Sequence, residues 1–191
     1  MNAMQEYRRD EDSRETELTK QLADMQNKLN EMEKLAEVAQ HAIEEQRKKA
    51  MHDALTGLPN RALLKDHIQQ KIELSKAEGK SLAVMFLDLD DFNKNNDVYG
   101  HSAGDKLLQI LGLHFKSVLS PIDSISRFGG DEFIFCFPLL DDIAAAEHKV
   151  ELIRKVFLSD FEIDGKIMSS SCSIGVAMFP QDGNDPEDLI S

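Results

Sequence analysis

The apolar positions of this chain change period several times, and each change marks an element. Near the start they fall at Leu18, Leu22, Met25, Leu29 and Met32, four and three residues apart in turn. That is a heptad seam, and it predicts a long helix. Leu35 arrives one residue early, and Ala36, Ala39, Ile43 and Gln46 continue the seam weakly. Residues 1–56 contain neither glycine nor proline. Such a helix can lie on its own domain or pair with a second copy. It is so charged that it has little core of its own to join, which favours a parallel two-stranded coiled coil. From Leu18 to Ala50 it would run roughly 50 Å.

The stretch DALTGLPNR, Asp53–Arg61, breaks the helix with Gly57 and Pro59 and offers Asn60 as the N-cap of the next one. Leu64, Ile68 and Ile72 recur every four residues, and Gly79 closes that second helix. Leu82 to Leu87 is an unbroken apolar run, the pattern of a strand covered on both faces. NNDVYGHSAGDKLL reads as a loop feeding a helix through Leu107, Leu108, Leu111 and Phe115. Two strands then meet at Gly129-Gly130, the pair expected to supply the positive φ of a tight hairpin. In the second of them, period two sets Asp131, Phe133, Phe135 and Phe137 on one face and Glu132, Ile134 and Cys136 on the other. Ile143, Ala146, Val150, Ile153 and Phe157 predict a further helix. FEIDGKI predicts a hairpin turning at Asp164-Gly165, and SSSCSIGVAMF a last strand. The mixed order predicts an α/β sandwich around a central mixed sheet with antiparallel hairpins.

Charge changes this picture at two places. The run SLAVMFLDLDDF ends in Asp88, Asp90 and Asp91, and the hairpin RFGGDEFIF carries Asp131 and Glu132 at its bend. One acidic bend alone reads as a solvated turn. If the two strands are neighbours, five acids crowd one end of a sheet, and like charges partly shielded from water repel. A divalent cation relieves that repulsion, and Mg²⁺ takes one or two carboxylates together with water and phosphate oxygens. The residues therefore point to a metal–nucleotide site without choosing a reaction.

Composition narrows the partners. A formal charge of −13 argues against a nucleic-acid surface and against anionic membrane surfaces. No apolar stretch approaches the roughly 20 residues of a spanning helix, and no signal peptide opens the chain. Cys136 and Cys172 fall inside expected strands without zinc spacing, so both are expected as reduced thiols. The expected setting is the cytoplasm, as a protein or as the cytoplasmic part of a larger signalling protein.

Five stretches in order make the chain resemble the GGDEF-domain family, the diguanylate cyclases of bacterial signalling. They are DALTGLPNR, DLDDF, NNDVYGHSAGD, the signature Gly129-Gly130-Asp131-Glu132-Phe133 behind Arg127-Phe128, and SIGVAMFPQDG. The resemblance divides the chain into a helical coiled-coil segment, 1–52, and a GGDEF domain, 53–191. It implies a palm-like nucleotidyl-cyclase fold in which two subunits, each holding one GTP, face each other and condense them to cyclic di-GMP and two pyrophosphates. It implies Mg²⁺ or Mn²⁺ on Asp88, Asp131 and the Leu89 carbonyl. Glu132 would assist deprotonation of the 3′-hydroxyl or bind a second metal. It implies nucleotide contacts at Phe92, Asn93, Gly129 and Gly130, and a guanine-reading pair in Asn96 and Asp105. Without the motif context Asn96 is a turn residue and Asp105 a helix-start residue favoured by the macrodipole. Arg127 and Asp53 read better as a structural ion pair.

Three departures qualify the resemblance. Many members carry Arg-x-x-Asp before the signature as an inhibitory product site; here the window is Ser120-Pro121-Ile122-Asp123, which leaves Asp123 vestigial. The residue after Asp-Phe is Asn93 with Lys94 beside it, where a lysine is common. Members continue past DPEDLIS with a basic helix and a last strand, so weaker GTP affinity is expected of this chain. The leading expectation is a diguanylate cyclase controlled by homodimerisation through its N-terminal helix. The alternatives are a GGDEF module that binds GTP without turning it over and a structural dimeriser with a vestigial domain.

Overall fold

The computed structural model describes residues 3–190 and divides into two compact units between Lys48 and Lys49. The expected helical start at residues 1 and 2 lies outside the described residues. Helix α1 runs from Ala3 to Met51. On the first unit the heptad positions Leu18, Leu22, Met25, Leu29 and Met32 are all exposed, as are Leu35, Val38 and Ile43. No helix among the described residues is long and apolar enough to cross a membrane.

The second unit is built on a four-stranded sheet. Its strands are β1 (Ser81–Leu89), β2 (Ser124–Gly129), β3 (Glu132–Leu140) and β6 (Cys172–Phe179), in the order β2-β3-β1-β6. All three pairings are antiparallel, a simpler arrangement than the mixed sheet that the alternation of helices and strands suggests. The two-faced pattern of the central strands is real. Phe133, Phe135 and Phe137 of β3 join Met85 and Leu87 of β1 under helix α4 (His101–Val118) and helix α5 (Ile143–Arg154). Phe115 of α4 packs edge-on against Phe133 and Phe135 at 5.3 and 5.1 Å between ring centres, contacts worth about 0.5–1.5 kcal/mol each beyond area burial. On the opposite face Ile134 and Cys136 meet Leu82, Val84 and the Leu64–Ile68–Ile72 stripe of helix α2 (Arg61–Ala77).

Local signals set the boundaries. Asn60 accepts from the Ala62 and Leu63 amides and caps α2; Gly79, at φ 64°, closes it. Strands β4 (Phe161–Ile163) and β5 (Lys166–Met168) form a separate hairpin, and both of its turn residues, Asp164 and Gly165, take positive φ as expected. Two readings change. The NNDVYG stretch is not a loop: helix α3 spans Phe92–Tyr99, and only Gly100 separates it from α4. The signature hairpin turns one residue late. Gly129 is still paired with Glu132, so the bend is Gly130-Asp131, and Gly130 alone has positive φ. A short helix, α6 (Pro186–Ile190), follows β6.

Candidate active site

Antiparallel pairing of β1 with β3 brings the two acidic runs to one end of the sheet. Asp88 stands opposite Glu132 in the register, and on its other side opposite Ser173 of β6. Directly paired residues share a face, so the Asp88 and Glu132 side chains project together. Asp131 sits in the adjoining bend. Burial raises the Asp88 carboxyl above the ordinary carboxylate range, and the charges of Asp131 and Asp90 raise it further. The crowding expected from the sequence is therefore present.

The five acids are not equivalent. Asp90 accepts from Ser171 Oγ at 2.6 Å and Ser173 Oγ at 2.7 Å, which lowers its pKa; its amide donates to the Ser171 carbonyl. Asp91, left-handed at φ 56°, pairs with Lys94 at 2.5 Å. The other three, Asp88, Asp131 and Glu132, sit at the same end of the sheet. Among the described residues no three His, Cys, Asp or Glu side chains are drawn into a preformed metal cluster. A two-carboxylate site completed by phosphate oxygens suits Mg²⁺, and the mutual repulsion at Asp88 fits a cation bound there. The serine partners of Asp90 come from the far edge of the sheet, and no local pattern around Asp90 foretells them.

After β1, α3 and α4 pack together and carry Phe92, Asn93, Asn96 and Asp105. Phe92 is buried and Asn93 exposed. Asn96 is buried, and its Oδ1 has no hydrogen-bond partner. Asp105 is exposed near the start of α4, next to Gly104, whose backbone lies against the Asn96 amide. Gly129 and Gly130 are exposed, and a side-chain atom on either would meet only open space. A cleft of about 600 Å³ is lined by Ser81, at the opposite end of β1 from Asp88, with Lys76, Lys80 and Phe179.

Arg127 joins this end of the sheet to the segment after α1. Its Nη1 donates to Asp53 Oδ1 at 2.9 Å, while Nε and Nη2 donate to the Gly130 carbonyl at 2.9 and 2.6 Å. The Arg127 amide donates to the Pro59 carbonyl. Burial acts to raise the Asp53 carboxyl, but hydrogen bonds from Thr56 and Arg127 outweigh it and hold it below its ordinary value. The ion pair expected from the sequence is formed.

Asp123 stands apart, just before β2, about 20 Å along that strand from Gly129. Its carboxylate is almost fully buried. Oδ2 accepts from the Ser120 amide and hydroxyl at 2.9 and 2.6 Å and from Lys149 Nζ at 2.7 Å. Ser120, where the resemblance led one to look for arginine, thus turns back onto Asp123.

Known proteins resemble this chain in sequence and in fold. Residues 50–191 match the profile of the family described as "Diguanylate cyclase, GGDEF domain". The diguanylate cyclase DgcP of Pseudomonas aeruginosa is 34% identical over 189 residues, covering 98% of this chain and 28% of that protein. The cyclic di-GMP phosphodiesterase NbdA of the same organism is 39% identical over 150 residues, covering 78% of this chain and 19% of that protein. The chain thus spans less than a third of either relative. The crystal structure of a sensory box/GGDEF family protein from Caulobacter crescentus superimposes with a TM-score of 0.71 at 35% identity, over 73% of this chain and 90% of that one.

Proposed function

We propose a function from one premise: the chain belongs to the GGDEF-domain family of diguanylate cyclases. It condenses two molecules of GTP into cyclic di-GMP. The observation that carries this reading is the acidic end of the sheet, where Asp88 pairs in register with Glu132 beside Asp131 and its carboxyl is pushed up by burial and by the Asp131 and Asp90 charges.

Asp88 and Asp131, with the Leu89 carbonyl, would hold Mg²⁺ or Mn²⁺. When bound, the metal supplies charge neutralisation for the phosphates and the departing pyrophosphate. The chain's own residues do the rest. The open backbone at Gly129 and Gly130 would admit the phosphates, and Phe92 and Asn93 at the start of α3 would contact the nucleotide. Glu132 accepts the proton of the 3′-hydroxyl as its oxygen attacks the α-phosphorus of the second GTP. The bond from that phosphorus to the β-phosphate bridging oxygen breaks, and two such events close the ring and release two pyrophosphates. Asp105 accepts from guanine N1–H and the exocyclic amine. Adenine offers a lone pair at N1 and would leave that carboxylate unpaired. Each domain holds half of the reaction, so two copies must meet, and the exposed seam of α1 supports a homodimer through that helix. Two free cysteines and GTP as substrate support a cytoplasmic setting.

Incubation with GTP and Mg²⁺, followed by chromatography of the products, tests the reading. Cyclic di-GMP and pyrophosphate in a one-to-two ratio are expected; GTP returned unchanged would overturn turnover. A second reading, a module that binds GTP without condensing it, draws on the similarity to a relative named as a phosphodiesterase. It predicts that GTP raises the melting temperature while no product forms.

A further inference from the structure

Gly104 lies within α4 and has no positive φ, so the backbone does not call for glycine there. Helix propensity favours alanine at such a position. What calls for glycine is space. A Cβ built on Gly104 would stand 1.9 Å from Asn96 Oδ1, 3.0 Å from Asn96 Cγ and 3.1 Å from Phe92 Cζ. The Asn96 amide therefore occupies the volume that any side chain at 104 would fill. There its Oδ1 is buried and has no partner. A buried acceptor left unpaired is unfavourable in the free protein, and a bound donor removes that penalty.

We propose that Gly104 is the seat of Asn96, a positioning residue whose missing side chain holds the Asn96 amide in place for a guanine base. The proposal rests on the reading of Asn96 as a base contact. The Oδ1 acceptor suits the second hydrogen of guanine's exocyclic amine, beside the N1–H and amine hydrogen taken by Asp105; adenine has no donor at C2. The contact crosses from one helix to the next, so α3 and α4 read the base as one unit. The clash with an alanine would fall on the far end of a flexible side chain, which can rotate away, while Phe92 needs to yield only slightly. Gly104→Ala should therefore spare the fold and displace the amide.

The test uses the whole chain with Mg²⁺ and two nucleotides that cannot be condensed, 3′-deoxy-GTP and 3′-deoxy-ATP, titrated by calorimetry. Gly104→Ala should weaken 3′-deoxy-GTP binding about 10- to 100-fold. Binding of 3′-deoxy-ATP and the melting temperature without nucleotide should stay near the parent's. In the Asn96→Ala background the same change at 104 should cost no further affinity, because the group it displaces is gone. Parental guanine affinity in Gly104→Ala overturns the proposal. So does an equal loss for both nucleotides, or a loss that persists undiminished without the Asn96 amide. If Gly104→Ala alone unfolds, the Asn96→Ala/Gly104→Ala chain decides. Recovery of the parental melting temperature upholds the seat, and failure to recover overturns it. Asn96→Ala separates the two readings. If it weakens guanine binding while Gly104→Ala does not, only the seat is lost. If it binds guanine as the parent does, the base contact itself is wrong, and the seat falls with it.

Discussion

At the scale of single residues, the acidic end of the sheet gathers like charge in the free protein, a repulsion that the proposed metal would relieve. Asp88 shows the tension, since burial and the neighbouring Asp131 and Asp90 charges all disfavour its ionised form. Asp88→Asn should therefore raise the melting temperature in the absence of metal and abolish the stabilisation given by Mg²⁺ with GTP. A variant that melts below the parent without metal would contradict the repulsion. Asp131→Ala should lower cyclic di-GMP production by about two orders of magnitude or more while the circular dichroism spectrum stays native. Undiminished product would remove Asp131 from the metal set. Sequence reasoning could find this cluster because one acidic run ends a strand-forming apolar run, Leu82 to Leu87, and the other opens one, Phe133 to Phe137. It could not sort the cluster. Asp90 is held by Ser173 of β6 and by Ser171 just before it, and contacts of that range leave no local trace. The Asn96–Gly104 contact is hidden for a similar reason. It depends on how two helices cross, whereas the sequence shows only a glycine before an aspartate.

At the scale of elements, the strand faces and caps were legible because each rests on a short-range rule. Alternation in β3 separates Phe133, Phe135 and Phe137 from Ile134 and Cys136, and Asn60 caps α2 through its own neighbours. Helix α3 was hidden. Only Phe92, Val98 and Tyr99 in it are apolar, Val98 is 72% exposed, and the buried position at i+4 from Phe92 is the polar Asn96. Arg127 is the element-scale joint, tying the Asp53 segment to the Gly130 bend. Arg127→Ala removes its bonds to the Asp53 carboxylate and the Gly130 carbonyl, and should cost about 1.5–3 kcal/mol at neutral pH. The acid side gives a second check. Asp53 has a folded pKa below its unfolded one, so its ionised form contributes stability that is full above about pH 4 and lost as pH falls through the lower folded value. Without Arg127 that difference shrinks. The parent should lose more stability than Arg127→Ala on acidification through this window, followed by urea unfolding at each pH. Parallel curves would show that Arg127 does not hold the Asp53 charge.

At the scale of the whole molecule, the first unit is a helix with its apolar stripe in solvent. Leu18, Leu22, Met25, Leu29 and Met32 are between 56% and 67% exposed, and a lone helix of this kind gains little from tertiary packing. A second copy laid along the same seam would bury both stripes, at about 1.5–3 kcal/mol for each large apolar side chain fully removed from water. The stripe is strongest from Leu18 to Met32 and weakens where Ala36, Ala39 and Gln46 replace large apolar residues, so the dimer should be held by its first half. Under the proposed function, condensation would draw on two domains, each bringing one GTP, and a monomer would not complete it however tightly it bound nucleotide. Joining two domains through short connections raises the concentration of each around the other to roughly the millimolar range. The Leu22→Lys/Leu29→Lys chain should sediment as a monomer at micromolar concentration. It should bind GTP as the parent does, and its activity per molecule should rise with protein concentration where that of the parent is flat. A chain beginning at Asp53 should behave in the same way, because it lacks the seam altogether. Activity per molecule independent of concentration in either form, with sedimentation showing a monomer, would mean that one domain suffices and that α1 has some other task. Parental dimerisation in the lysine variant would place the contact between copies elsewhere on the molecule.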